Sequence, residues 1–291
     1  MMRPGGVMQL PFRVDLEGRV AVVTGGAGVL GAELAAALAH CGAKVAIVDV
    51  NPGAAEELAA RLRAAGLQGL AVAADVLAPA SLRAAAEQIQ AAFGPCELLL
   101  NAAGGNHPSG TTSQEFLTLE DLDDPAQRSF FSLDADSIER VFGLNFLGTL
   151  LPTQIFAQQM LGRPGGCIIN ISSLSATRPL TKVPAYSAAK AAVSNFTAWL
   201  AVHLAPVGIR VNALAPGFFL TAQNRPLLID PASGELSPRA RKIIAHTPLG
   251  RFGEPRELVG TLLWLASSAA SGFVSGAVIP VDGGFGAYCG V

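Results

Sequence analysis

Tyr186-Ser187-Ala188-Ala189-Lys190 sets a phenol and an ammonium four residues apart, a spacing that puts both side chains on one face of a helix. A phenol titrating near pH ~10 is a poor acid–base group at neutral pH, but a positive charge beside it stabilises the phenolate and lowers that value. Lys190 is the residue expected to do this. Spacing alone also fits a solvated helix face, so the neighbouring chemistry decides. Ser173 precedes Tyr186 by 13 residues and follows an apolar run, where its hydroxyl is expected to bind a substrate oxygen beside the phenol. Asn145, in GLNFLG within a long helical stretch, is expected to bend that helix and hold a water relaying protons to Lys190. Together Asn145, Ser173, Tyr186 and Lys190 point to acid–base work on a substrate oxygen.

A second constellation lies nearer the N-terminus. TGGAGVLG (Thr24 to Gly31) closes an apolar run and opens an Ala/Leu-rich helix, and Gly26, Gly28 and Gly31 satisfy G-x-G-x-x-G there. Glycine permits the tight turn, lets the backbone approach a diphosphate and leaves a helix N-terminus to stabilise negative charge. Gly25, Val29 and Leu30 complete the stretch expected to wrap the phosphates; a turn without ligand is the plain alternative. Asp49 ends the next run 18 residues after Gly31, near the spacing at which a carboxylate accepts hydrogen bonds from the ribose of an adenine dinucleotide. It would repel a 2′-phosphate, and no Arg or Lys occurs in Val50 to Ala55, so NAD is expected over NADP. Asp49 before Asn51-Pro52 equally suits a turn. Asp75 and Val76 are expected to hold the adenine, and Lys190 gains a second task at the nicotinamide ribose.

These groups need a frame. From Arg19 onward, short β-branched runs alternate with Ala/Leu-rich segments, the sequence form of βαβ units around a parallel sheet. Strands are expected at Val20 to Thr24, Lys44 to Asp49, Leu67 to Ala74, Glu97 to Asn101, Gly166 to Ser172, Ile209 to Leu214 and Ala277 to Val281. Helices are expected near 29–40, 53–65, 79–93, 136–161, 185–205 and 254–268, with Ser81 and Asp136 as N-cap residues. Strand apolarity without polar alternation demands burial on both faces. The expected fold is α/β, a Rossmann-type doubly wound seven-stranded parallel sheet, one domain over residues 1–291. Gly104 to Leu133 and Gly217 to Gly253 are too long for ordinary connections. Each follows a strand and should emerge at the carboxyl edge of the sheet, where such folds bind ligands: a substrate-loop insertion near 104–134 and a lid near 217–253.

Composition narrows the function classes. The 291 residues are 51% hydrophobic and 14% charged, which excludes intrinsic disorder, and a net charge of −2 lacks the basic footprint of a nucleic-acid partner. Cys41, Cys96, Cys167 and Cys289 lie far apart without C-x-x-C spacing, and the histidines are scattered, so neither a disulfide framework nor a metal site is expected. Leu258 to Val281 is uncharged and long enough to cross a bilayer, but its four serines, three glycines and Pro280 read as helix, loop and strand. The N-terminal MMRPGGVMQLPFRVD contains no signal-peptide core, so a cytoplasmic location without membrane partner is expected.

From about Leu16 to Gly284 the chain resembles the short-chain dehydrogenase/reductase family. The resemblance is carried by TGGAGVLG, Asp49, Asp75, NAAG (Asn101, Ala102, Ala103, Gly104), Asn145, ISS with Ser173, YSAAK, RVNALAPG (Arg210 to Gly217) and VDGG (Val281 to Gly284). It implies a Ser173, Tyr186, Lys190, Asn145 tetrad, the NAAG stretch against an NAD(P) cofactor, and Pro216, Gly217, Phe219 and Thr221 closing over the nicotinamide. Two positions depart from the family pattern: Val29 replaces the middle glycine of T-G-x-x-x-G-x-G, compensated by Gly26 and Gly28, and Ala102 replaces the second Asn of N-N-A-G. The long insertion and the ending FGAYCGV resemble a subgroup of D-mannonate oxidoreductases, or fructuronate reductases, which implies a small-molecule sugar-acid substrate.

Asn106, His107, Thr111 and Thr112 supply hydrogen-bonding groups for a polyhydroxylated molecule, and Arg178, Lys182 and Arg225 are candidates to meet a carboxylate, Lys182 and Arg225 foremost. His107-Pro108-Ser109-Gly110 also fits a surface turn, and Arg178 a solvated charge. Rival expectations are a 3-oxoacyl thioester reductase, a general short-chain alcohol dehydrogenase, or a non-catalytic dinucleotide-binding protein. A homotetramer is expected, because the helices near 136–161 and 185–205 carry Phe142, Phe146, Phe156, Phe196 and Trp199 with few charges.

Overall fold

Seven short apolar runs form the strands β1 (Val20–Thr24), β2 (Lys44–Asp49), β3 (Gly69–Ala73), β4 (Leu98–Asn101), β5 (Cys167–Ile171), β6 (Arg210–Pro216) and β7 (Val278–Val281). The computed structural model describes residues 14–221, 224–231 and 233–290; the N-terminal segment read above for a signal peptide lies, through residue 13, outside them. All strands pair in parallel, in the order β3-β2-β1-β4-β5-β6-β7. The order reverses between β1 and β4, which opens a crevice at their carboxyl ends.

Side chains alternate across a strand, so neighbours enter opposite layers. Ala21, Val23, Val45, Ile47, Leu98 and Leu100 pack on α1 (Val29–His40), α2 (Pro52–Ala64) and a later helix through Leu34, Leu38, Leu58, Leu262 and Leu265. Val20, Val22, Ala46, Val48, Leu99 and Ile168 pack on α3 (Pro79–Phe93) and on Phe156, Met160 and Leu200. Both faces are dry, which is why the strands read as unbroken apolar runs. Phe156, counted above toward an oligomer face, is fully buried in this second layer.

The stretch read as one helix at 136–161 is four pieces. They are α4 (Ala135–Phe142), a π turn Gly143–Leu147, α5 (Gly148–Phe156) and a 3-10 turn Ala157–Met160. α6 (Pro184–Leu204) is continuous. The expected caps shift as well. Asp134, not Asp136, caps α4, because it is the residue with extended backbone, and its Oδ2 accepts the Ser137 N–H at 2.9 Å. α3 opens on Pro79 after Ala78, and Ser81 Oγ instead accepts the Asp75 N–H at 3.2 Å.

Both long segments have internal order. Residues 104–134 contain three single 3-10 turns, and Arg128 is anchored to the first, its Nη1 donating to the carbonyls of Pro108 and Thr111 at 2.8 and 3.2 Å. Residues 217–253 contain α7 (Arg225–Leu228) and α8 (Pro238–Ala245), close at their base through a parallel bridge between Phe219 and Gly253, and bury Leu228, Ala240, Ile243 and Phe252 in a small core of their own. Glu115 of the first segment pairs with Lys242 of the second. Leu258 to Val281 contains α9 (Val259–Ala266) and β7, and among the described residues no helix is long and apolar enough to cross a membrane.

Candidate active site

The turn between β1 and α1 excludes side chains. Gly25 has φ +60°, and a Cβ there would lie 2.7 Å from the Ala103 backbone; a Cβ on Gly31 would lie 2.1 Å from the Gly25 carbonyl oxygen. No side chain caps α1 at Gly28, so its first-turn amides remain available to an anion, and nothing in the cradle obstructs a diphosphate. Val29 is 40% exposed at the rim, which is how the chain tolerates a branched residue at a glycine position.

Asp49 does two things at once. Its Oδ2 accepts the Ala27 N–H at 3.0 Å and its Oδ1 the Asn51 N–H at 2.9 Å, tethering the glycine turn to β2 and shaping the entry to α2. A carboxylate has about four lone-pair sites, so capacity for a ribose hydroxyl remains. Asp75 is exposed, its Oδ1 accepting the Leu77 N–H at 2.8 Å, while Val76 is buried against Gly148.

Three residues expected at the cofactor also make contacts within the protein. Asn101 is buried, and its Nδ2 donates to Thr153 Oγ1 and Asn170 Oδ1, both at 2.9 Å, so its side chain serves the interior between β4, β5 and α5. Phe219 is buried in the core, its ring against Gly253, where a Cβ would meet it at 2.7 Å. Thr221 Oγ1 accepts the Asn224 N–H at 3.2 Å, while its own N–H donates to Asn224 Oδ1 at 2.8 Å. Ala102 and Ala103 follow β4 against Thr24, and Gly217, after Pro216, abuts Asp282, where a Cβ would come within 2.6 Å.

The four acid–base candidates converge. Tyr186, in the first turn of α6, stands near Ser173, which follows β5 and favours its ionised form. Ser175 donates to Ser173 Oγ through both its N–H (3.2 Å) and its hydroxyl (3.0 Å), so Ser173 is oriented from behind. Lys190, one turn below, is buried, donates through Nζ to the Ile171 carbonyl at 2.7 Å and stands 5.8 Å from the Tyr186 ring centroid. Gly104 lies against both remaining partners: a Cβ on it would be 2.8 Å from Asn145 Oδ1 and 3.2 Å from Lys190 Nζ. Asn145 sits in the π turn, its Nδ2 donating to the Val141 and Gly105 carbonyls at 2.8 and 2.7 Å.

Electrostatics differ from expectation at one point. Burial is the main influence on the Tyr186 phenol and pushes its pKa up, opposed by Ser173, while Lys190 Nζ is turned to the Ile171 carbonyl. The same burial pulls the Lys190 ammonium down to about 8.

Among the substrate candidates, Asn106 is exposed and donates to Thr111 Oγ1 at 3.0 Å, while His107 Nδ1 accepts the Ser109 N–H at 3.3 Å and caps a 3-10 turn, so the turn reading holds for 107–110. Arg178 Nε donates to the Gly286 carbonyl at 3.0 Å and lines a groove of about 210 Å³. Lys182, with φ +75°, offers its carbonyl to Thr112 N–H at 2.9 Å, and Arg225 stands exposed on α7; neither lines that groove. The groove instead contains Glu115, Arg239, Lys242, His246 and Phe285, none singled out in the sequence. A signal existed: Arg239, Lys242 and His246 recur at helical spacing along α8 and its end.

Comparisons with known proteins agree with this geometry. The family model described as short chain dehydrogenase matches residues 19–231. An uncharacterized oxidoreductase of Haemophilus influenzae is 49% identical over 284 residues, 98% of this chain and 99% of that protein. A solved Haemophilus structure with bound NAD, provisionally named a D-mannonate oxidoreductase, superposes with a TM-score of 0.93 at 48% identity, covering 97% of this chain and 100% of the other. A D-threitol dehydrogenase of Mycolicibacterium smegmatis is 34% identical over 278 residues, 96% of each chain. With glycine cradle, parallel sheet and family model in accord, the chain belongs to the short-chain dehydrogenase/reductase family of NAD(P)-dependent oxidoreductases.

Proposed function

We propose that this protein reduces the ketone of a sugar acid to a secondary alcohol, or runs the reverse reaction, with NAD(H) preferred over NADP(H). The observation that carries the chemistry is the Tyr186 hydroxyl near Ser173, with Lys190 one turn below. Bound at the glycine turn, Asp49 and Lys190, the cofactor supplies the hydride. Ser173 and Tyr186 both address the substrate oxygen, and Tyr186 gives its proton to that oxygen as it becomes an alkoxide. A phenol raised by burial is fully protonated at neutral pH, the state that reduction needs. Lys190 has three N–H donors, one held by Ile171, leaving two for ribose hydroxyls and for charge stabilisation near the phenol. Asn145, fixed by the Val141 and Gly105 carbonyls, keeps Oδ1 beside Gly104, where it assists proton return toward Lys190.

Asp49 supports NAD, since its carboxylate would repel a 2′-phosphate, and the NAD-bound Haemophilus relative agrees. The sugar-acid substrate is supported by that relative's provisional name and by the cationic groove at Arg178. A neutral polyol is the second reading, favoured by the D-threitol dehydrogenase likeness. The reducing cytoplasm suits the thiols of Cys41, Cys96 and Cys167, and the assembly is taken to be a homotetramer. The deciding experiment is oxidation of NADH and NADPH with fructuronate, neutral ketoses and acetoacetyl thioesters. Fructuronate with NADH should give the highest kcat/KM; thioesters far ahead would replace this reading with the thioester reductase.

A further inference from the structure

Two separate parts of the chain bring positive charge to one groove beside the site, and a third adds an aromatic wall. Arg178 comes from the turn after Ser173, Arg239, Lys242 and His246 from α8 and its end, and Phe285 from the C-terminal tail. Phe218 and Phe285 meet edge to face, ring centroids 5.2 Å apart, and form an apolar wall. Arg178 is tied by Nε to the Gly286 carbonyl, which leaves its two terminal nitrogens for a bidentate partner. Arg239 makes no ion pair among the described residues. Lys242 is different: it is held by Glu115 and lies 5.9 Å from the Phe116 ring centroid. A carboxylate of the protein therefore already occupies part of this groove. Its surroundings favour the charged form, since Lys242 first, then Arg239 and Lys182, hold the Glu115 carboxyl below its usual range.

A second cavity lies beside the groove, on the Ser173 side. Ser173, Leu174, Thr177, Asp282, Gly286 and Ala287 line an adjacent cavity of about 340 Å³, and Arg178 and Gly286 stand at the boundary between the two. Counting Arg178, Arg239 and Lys242 against Glu115 leaves an excess of positive charge, which an uncharged polyol or acyl chain has no means of neutralising.

The geometry points to this groove as the subsite for the anionic end of the substrate, with Arg178 and Arg239 as the carboxylate anchors and Glu115 as an internal carboxylate that competes with it. The inference rests on the sugar-acid reading above and replaces Lys182 and Arg225 as anchors. It makes the protein select acids over neutral analogues of the same length, through charge-assisted hydrogen bonds lost when either arginine is removed.

Calorimetric titration of the NADH-saturated protein, which has no hydride acceptor for these alcohols, with D-mannonate, D-gluconate and neutral D-mannitol tests it. Wild type should bind the acids at least tenfold more tightly than mannitol. Arg178→Met and Arg239→Met should each cut that ratio about tenfold while leaving mannitol binding unchanged, and Glu115→Gln should raise it. Circular dichroism and NAD affinity identify any variant that fails to fold, and Arg239→Lys, which keeps the charge, should recover part of the ratio. An unchanged ratio in both Met variants, equal losses for acids and mannitol, or no acid preference in wild type would overturn the assignment. The two readings fail separately. Turnover of neutral ketoses alone, with an acid-binding ratio still dependent on Arg239, removes the sugar-acid substrate and keeps the anion site; turnover of fructuronate with an arginine-independent ratio does the opposite.

Discussion

A half-buried phenol is an acid that holds its proton, and at Tyr186 desolvation outweighs the influence of Ser173. Removing that hydroxyl alone, as in Tyr186→Phe, should lower kcat by about 10³-fold or more, in line with loss of a general acid together with its oxyanion contact. NADH binding, followed by fluorescence, should stay within about twofold of wild type on the scale of ordinary surface changes; a variant retaining a large part of kcat would remove Tyr186 from the chemistry. Lys190 sets the pH response. Its pKa is lowered to about 8, so it is an ammonium below that pH and a neutral amine above it. If the ammonium is the working form, kcat/KM for reduction falls as pH rises through about 8. Lys190→Arg, whose charge persists beyond about pH 12, should carry that limb upward; a wild-type profile flat across the region would contradict the assignment. The four residues were legible because their types and spacings are set by chemistry. What spacing could not show was direction, since Lys190 Nζ faces the Ile171 carbonyl and leaves the phenol to the influence of burial.

Between the elements, the least visible feature in the sequence is a buried line of amides and hydroxyls. Thr153 of α5 meets Asn101 of β4, Asn101 meets Asn170 of β5, and Asn170 Nδ2 donates to Thr197 Oγ1 of α6, each at 2.9 Å. It crosses one face of the sheet directly behind the site and fixes the distance of α5 and α6 from the strands. Asn170→Ala would leave one buried Asn101 N–H without an acceptor, while the Thr197 hydroxyl keeps the Val193 carbonyl, so destabilisation by about 1–3 kcal/mol is expected. Urea unfolding measures it directly, and a change below about 0.5 kcal/mol, the level of an ordinary surface substitution, would show the line to be dispensable. Strands were legible because burial on both faces demands unbroken apolar runs, and β1 and β2 fall on the expected residues. The bend at Asn145 was legible too, but not the division of the helix into four pieces. The π turn at Gly143–Leu147 depends on Asn145 taking the Val141 carbonyl, a side-chain choice that hydrophobic periodicity does not report.

At the scale of the whole molecule, the parallel doubly wound sheet followed from repeated βα alternation, whereas the cationic groove did not, because residues 115, 178, 239 and 285 come from separate stretches that meet only in the folded chain. The outer face of α4 and α6 presents a further consequence of folding. Phe146, Phe196, Trp199 and His203 form a row of ring contacts, with centroids 5.8, 6.3 and 4.8 Å apart. Trp199 is 57% and Val202 77% exposed, with Phe142 and Leu147 also open to solvent. A continuous apolar surface of this kind is costly in water, and a face that meets its own copy across a twofold axis removes it. One such axis gives a dimer, and the tetramer proposed here requires a second, independent face. Val202→Glu places a charge at the centre of the first face without disturbing the core, since the side chain points outward. Light scattering should therefore show a tetramer for wild type and half that mass for the variant, with the circular dichroism spectrum unchanged. A wild-type monomer at micromolar concentration would refute the assembly, and a Val202→Glu protein of full mass would move the contact away from α4 and α6.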